Sequence, residues 1–586
     1  MRIASPCLSL LASLSLAAQT PHLQTFRQWI GGQEVGGSSR EIRQEGLDQV
    51  LQEKEWITLS RLGQEIRQEV EETTRKGADG KLSFHWRLQL SAEPFEGSAT
   101  WSPAAPATLS IRPAQGTAIQ KEVPPGALLW PEDLESRLKE AARTLRPLHA
   151  VTFSCAIQQW RQLDLEPAGP APLPGFPEAI RFTGQERQGN TPASVEIWIS
   201  PTAGEVKNLS KLGSLTMLTQ RAELPSPKEN PGDSGFFERT LQVIPPQPFL
   251  PWLRSLTLRA DGNEPALPED AQQLRLRKGR WELRRAALPT KEEAAQPPLK
   301  GGSSQEEARY LAATPLVPFQ DPAFDGLLRR MALPPGLSRW DLARRVTTFV
   351  FEWVVDKDFS VGFASALEVC RNPRGDCTEH GVLAVALLRK LGVPARGVTG
   401  WVALGNTMGL HFWVEVRLLD RWVPVDPTFD QAPASAFRLK LGDTDLADLG
   451  SVGWEGASMA FSGVRWVPEE AEGHPWAGPL ETSREVLKAP GGVRLRLPGG
   501  HWDLHQGQAR VRGKWGSWLF TAMTRPSEKQ LQSCQKLAGP TSLRQGWWDP
   551  AARSLWMDLG ADRWALWSEL SETEAFQLLD QLIIAP

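Results

Sequence analysis

The sequence predicts an α+β protein, in which a central module of helices and strands is flanked on both sides by antiparallel β-rich domains. Three observations carry that expectation. From about residue 19 to 289 apolar and polar side chains alternate between turn signals, the period of half-buried strands. Trp340 to Val355 and Glu379 to Leu391 instead repeat their apolar residues at helical spacing. Beyond about residue 450 alternation returns, as in Trp515 to Phe520, and gives way to a helical pattern from Glu572 to Ile584.

A chain of 586 residues exceeds what one hydrophobic core organises, so several domains are expected. Hydrophobic residues at 41% and charged residues at 23% are those of a soluble globular protein. A net charge of -3 argues against a dedicated nucleic-acid binder. Residues 1–18 have the character of a secretory signal: Arg2 precedes an uncharged run, and Ser15-Leu16-Ala17 or Leu16-Ala17-Ala18 suits a signal peptidase. No later stretch reaches 18 uncharged apolar residues, so the expectation is an exported, periplasmic or secreted protein with no stable membrane insertion.

Residues 19–290 are expected to form the β-rich amino-terminal region. Leu82 to Leu90 alternates after the turn signal Ala78-Asp79-Gly80, and the proline-rich run at 166–177 suggests a break between two subdomains. A helix is expected from Pro131 to Leu145, with Glu132, Asp133 and Glu135 early and Arg143 and Arg146 late, as the helix dipole favours. The basic run from Arg275 to Arg285 alternates with Leu274, Leu276, Trp281 and Leu283, which describes the wet face of a hairpin turning near Lys278-Gly279. Residues 291–307, charged and carrying Gly301-Gly302-Ser303-Ser304, resemble a linker. Residues 308–449 form the central module and 450–586 a carboxy-terminal α+β domain.

The chemistry concentrates in the central module. Gly375-Asp376-Cys377-Thr378-Glu379-His380 precedes a helix that is apolar on most of its surface and is stopped by Gly392-Val393-Pro394. Cys377 therefore falls at the first turn, where unpaired N–H groups and the positive dipole end favour a thiolate and are available to an oxyanion. His411 to Leu418 alternates, with His411, Trp413, Glu415 and Arg417 on one face. If Leu419-Asp420 is a two-residue turn, Leu418 pairs with Arg421, and Asp426 falls on the His411 face roughly 7–8 Å away between backbones. A three-residue loop would put Asp426 on the opposite face.

These segments, together with Leu391-Gly392-Val393-Pro394-Ala395-Arg396 and Trp422-Val423-Pro424-Val425-Asp426-Pro427-Thr428, resemble the bacterial transglutaminase-like superfamily over about residues 316–449. The resemblance implies a papain-like core in which Cys377 is the nucleophile, His411 the general base and acid, and Asp426 the residue that orients His411. Ala436-Phe437-Arg438 departs from the polar run the family pattern would continue with. The implied activity is thiol acyl transfer on a peptide or glutamine amide of a protein or peptide substrate, with no cofactor and no metal. Hydrolysis is favoured over cross-linking because water is always present and cross-linking requires its exclusion. A non-catalytic binding or scaffolding protein of the cell envelope is the alternative of another class.

Other candidates have plainer readings. Trp413 and Glu415 share the face of His411; Trp413 is expected to line the site, and Glu415 to line it or to be a solvated charge. His380 is expected to cap or pack its helix. Cys370, seven residues before Cys377, is either a buried thiol or a redox partner. Cys155, Cys370, Cys377 and Cys534 form no CxxC pair, so neither a structural zinc site nor a disulfide framework is expected. His501 and His505 have a metal-binding spacing only on a helix, and the glycines around them favour strand and loop.

Overall fold

The computed structural model describes residues 22–61, 64–114, 118–154, 158–188, 191–226, 240–245, 253–262, 264–299, 304–357, 362–404, 406–447, 463–472, 474–476 and shorter runs between 482 and 585. The expected signal segment and Cys155 lie outside the described residues. The molecule is mostly β, with 49% strand and 17% helix, and its sheets are antiparallel. The antiparallel β-rich flanks are as expected, but the α+β class is corrected to mostly β: the described helices are concentrated in the centre and sheets dominate the rest.

The amino-terminal region is one continuous sheet of fourteen strands, β1 (His22–Ile30) to β14 (Leu215–Arg221). From one edge, β8 (Ile119–Glu122), the strands run in reverse sequence order to β1. That strand pairs with β14, and the order descends to β9 (Leu148–Ser154) at the other edge. The break expected at 166–177 does not divide it. Pro167 and Pro170 lie within β10 (Gln159–Pro170), where a bulge at Pro167/Gly169 absorbs them. The two edges approach each other, since Lys121 of β8 lies 5.7 Å from the Phe153 ring and Leu128 donates to Val151 of β9. One face is lined by Phe84, Trp86, Leu109 and Ile111, and the helix α1 (Pro131–Thr144) packs Leu138, Ala141 and Ala142 near Leu163, Phe182 and Ile197.

A short strand β15 (Gln242–Val243) joins the central sheet. Next, β16 (Ser255–Asp261), β17 (Gln273–Arg277) and β18 (Arg280–Arg284) form the expected hairpin and its neighbour, with Gly279 at φ +73° in the turn. The following segment is not a free tether. It holds α2 (Lys291–Ala294) and α3 (Gln305–Arg309), each with a capping box, and Leu299 donates to Gly392 of the central module.

The central module packs α4 (Ala323–Met331), α5 (Arg339–Trp353), α6 (Ala366–Arg371) and α7 (Cys377–Lys390) on a sheet of β19 (Ala395–Leu404), β20 (Thr407–Leu418), β21 (Arg421–Val425) and β22 (Arg438–Thr444), with β15 at its edge. Strand β23 (Arg465–Ala471) returns to pair with β16, so the third sheet is assembled from both sides of the module. Trp281, Trp401, Phe437 and Trp466 share one buried cluster across that junction. Pairings between segments more than two hundred residues apart are invisible to a local pattern, so the expected borders at 290 and 450 are crossed. Among the described residues, the carboxy-terminal part holds two further sheets and the helices α8 (Glu528–Gln532) and α9 (Glu572–Gln581).

Helix α7 is buried along almost its whole length, as its apolar sequence requires. It seats on β20 through a wedge: the Phe412 ring fills the space where Cβ atoms at Gly381 and Gly397 would lie, each 2.3 Å from it. Gly381→Ala must therefore push α7 away from the strand that carries His411. Overpacking of this kind costs about 1–3 kcal/mol. Thermal unfolding of the variant is expected to begin earlier, and an unchanged midpoint would contradict the wedge.

Candidate active site

The site starts at the amino end of α7. Asp376 is the N-cap: its Oδ1 accepts from the Thr378 N–H at 2.9 Å, its carboxylate also receives the Glu379 N–H, and Glu379 reaches back to the Asp376 N–H at 2.9 Å. Gly375 is required just before it. Its φ is +135°, and a Cβ there would stand 2.3 Å from Glu379 Cγ. Cys377 is thus the first residue of α7, as expected. The N–H groups of Thr378 and Glu379, however, are spent on the Asp376 carboxylate, so these two first-turn donors are not available to an oxyanion.

The register prediction holds at the hairpin: Leu418 pairs with Arg421 and Val414 with Val425. The two-residue turn brings Asp426 to the His411 face, and His411 Nε2 stands 2.8 Å from Asp426 Oδ2. Asp426 is fully buried and His411 is 5% exposed. The imidazole lies nearly parallel to the Phe429 ring, with centroids 5.0 Å apart, and to the Trp413 ring at 6.3 Å. An acceptor-only carboxylate on Nε2 fixes the proton on that nitrogen of the neutral ring and leaves Nδ1 as the basic atom.

Asp426 has further partners that the sequence did not single out. Arg438 of β22 places Nη2 at 2.6 Å and Nε at 3.1 Å from the same Oδ2, and the Thr428 N–H donates to Oδ1 at 3.0 Å. Arg438 is itself held by Ser435 and by Gln431 Oε1 at 2.9 Å. Burial alone would raise the Asp426 carboxyl, but His411 and Arg438 overcome it and hold it well below the usual carboxylate range. Only the departure of Ala436-Phe437-Arg438 from the family pattern hinted at this partner.

Glu415 is neither solvated nor open to a ligand through an unpaired carboxylate. It is 3% exposed and bound by Lys440 at 3.0 Å and Arg396 at 2.7 Å, which corrects the reading of a solvated charge. Trp413 is buried beside His411. Cys370 and Cys377 are not joined in a disulfide, and burial pushes the Cys370 thiol up to about 11. His501 and His505 lie on one strand, not on a helix.

His380 packs against the start of α7. It is completely buried, with Nδ1 2.5 Å from the Asp376 carbonyl and Nε2 2.5 Å from Lys357 Nζ. Burial, reinforced by the Lys357 charge, pulls it down to about 4. The folded state keeps it neutral while the unfolded chain takes up a proton below about 6.5, so stability is lost as pH falls from there towards 4. The loss attributable to this residue is about 3 kcal/mol. Thermal midpoints of the parent and of His380→Gln between pH 7 and 4 should converge as the pH falls; parallel curves would contradict this. Taking the difference removes the opposite trend from Glu379, which burial and Asp376 raise.

Residues 334–427 match the family model of the transglutaminase-like superfamily, a partial segment of the chain that contains Cys377, His411 and Asp426. Among curated proteins none matches the chain. Solved structures similar to parts of it include a β-barrel-like protein of a domain of unknown function from Brucella abortus (11% identity, 35% of this chain and 96% of that one, TM-score 0.28). A protein from Cytophaga hutchinsonii, named provisionally as a cysteine protease, has 13% identity over 34% of this chain and 82% of that one, with a TM-score of 0.24. A provisionally named protease from Parabacteroides distasonis has 10% identity over 86% of this chain and 96% of that one, with a TM-score of 0.14. Scores this low carry no argument about function.

Proposed function

We propose that this chain is an exported thiol acyl-transfer enzyme with a papain-like core that attacks a peptide or glutamine amide, with hydrolysis favoured over cross-linking. The observation that carries the reading is the buried His411–Asp426 pair at 2.8 Å, held on the strand against which the Cys377 helix packs. The match of residues 334–427 to a transglutaminase-like family supports the class of chemistry.

In this mechanism His411 Nδ1 takes the proton of the Cys377 thiol, and the sulfur attacks the amide carbonyl carbon. The tetrahedral intermediate collapses as the imidazolium returns that proton to the leaving nitrogen, giving a thioacyl enzyme and a free amine or ammonia. His411 then removes a proton from water, whose oxygen attacks the thioester. Collapse expels the sulfur, releases the acid and regenerates the site. Asp426 stays ionised throughout and stabilises the imidazolium. A primary amine in place of water would give cross-linking.

Purified protein incubated with a peptide library, with and without a primary amine, distinguishes the outcomes by mass. Chain cleavage or gain of one mass unit at glutamine is the expected result. Amine incorporation with loss of ammonia would establish cross-linking instead. No product from the parent, together with ordinary thiol reactivity at Cys377, would favour the binding-module reading.

A further inference from the structure

We infer that Arg438 is a positioning residue for the proposed acyl-transfer site: by neutralising Asp426 through the oxygen that also holds His411, it sets the pH range over which His411 can exchange a proton with Cys377. The inference rests on the Cys377–His411 reading and extends it to a residue from a different strand.

The geometry is specific. One carboxylate oxygen, Asp426 Oδ2, receives His411 Nε2 at 2.8 Å and the Arg438 fork at 2.6 and 3.1 Å. Asp426 is 0% exposed and Arg438 8%, so neither charge is met by bulk water. Arg438 Nη1 donates to the Ser435 carbonyl and hydroxyl and Nη2 also to Gln431 Oε1, both in the segment that follows Asp426, so the fork cannot drift without moving that segment. Guanidinium and carboxylate together carry no net charge. A buried carboxylate alone would hold an imidazolium tightly; one already paired with a guanidinium holds it less tightly, which lets His411 both take and return a proton. Arg438 also keeps Asp426 ionised, hence an acceptor only, and that fixes the His411 tautomer.

Other charged groups near the pair do not perform this role. Helix α7 contributes Asp376 and Glu379, which bind one another's backbone, and His380, which lies close enough to feel Asp426 and is occupied by Lys357. On β20, Glu415 is consumed by Lys440 and Arg396. Among the described residues, Arg438 is the cation in contact with the Asp426 carboxylate.

The test is the rate of iodoacetamide alkylation of Cys377 against pH in the full-length chain, read by mass on the Cys377 peptide so that other cysteines do not interfere. In Arg438→Gln the inflection at which the imidazolium loses its proton is expected to move up by about one pH unit, the low end of the shift that one neighbouring charge produces. Arg438→Lys keeps the charge without the fork. Its inflection should stay near the parent's, and this variant decides the question if Arg438→Gln does not fold. A folded Arg438→Gln whose profile superimposes on the parent, or an Arg438→Lys displaced by a full unit, would overturn the inference. Failure of the underlying thiol reading looks different: the parent's Cys377 would then react no faster than an ordinary thiol at any pH.

Discussion

His411→Ala will react with iodoacetamide at Cys377 roughly 10²-fold more slowly than the parent at pH 7, the scale of a lost general base. The variant should still fold, because Asp426 retains Arg438 at 2.6 Å and is not left as an isolated buried charge. That separates this substitution from most changes at a buried site. The readout is the mass of the Cys377 peptide over time, with circular dichroism to confirm the fold. Equal labelling of the two proteins, both folded, would remove the nucleophile–base relationship and leave the envelope-binding alternative in its place.

Asp426→Ala is expected to have the larger effect on stability, about 3–5 kcal/mol, because it strands the buried Arg438 guanidinium without a counter-charge. It also deprives His411 of the acceptor that orients it, so labelling of Cys377 should slow even in the fraction that folds. Asp426→Asn keeps an acceptor for the imidazole and removes only charge, so it should label faster than the alanine variant. The pH dependence follows from the sign of the shift. The carboxyl is held below its ordinary value of 3.8 in the fold, so its stabilisation is present above about 4 and is lost as pH falls below that. Denaturant midpoints of the parent and of Asp426→Asn should therefore draw together below pH 4. A wider gap there than at neutral pH would mean that the carboxylate is not what holds the turn.

Much of the site was legible because its determinants are local. The capping residues before Cys377, the apolar run of α7 and the Gly392 stop set the helix, and two residues of turn between Leu418 and Arg421 set the strand register. Asp426 reached His411 for that reason alone: a side-chain period of two admits no half-step. Arg438 was not legible as a partner, since it stands twelve residues beyond Asp426 and reaches it only after the chain turns back and adds β22 to the sheet. Nor was the pairing of Glu415 with Lys440, a residue no local pattern connects to it, since the two meet only where the sheet buries them.

The docking of the amino-terminal sheet on the central module belongs to the same class. Glu368 of α6 accepts the Ser91 hydroxyl at 2.6 Å and the Ala92 and Glu93 N–H groups at 3.0 and 3.3 Å, nearly three hundred residues away in sequence. Nothing in the pattern around either segment announces that contact.

By itself the sequence determined the elements and the ordered set of cysteine, histidine and aspartate, because caps, periodicity and turn length act over a few residues. The tertiary structure alone decided which charges meet Asp426, that fourteen strands form one sheet, and that the borders of the central module are bridged. Those outcomes depend on burial and on pairings between distant segments, whose energies exist only once the chain has brought them together.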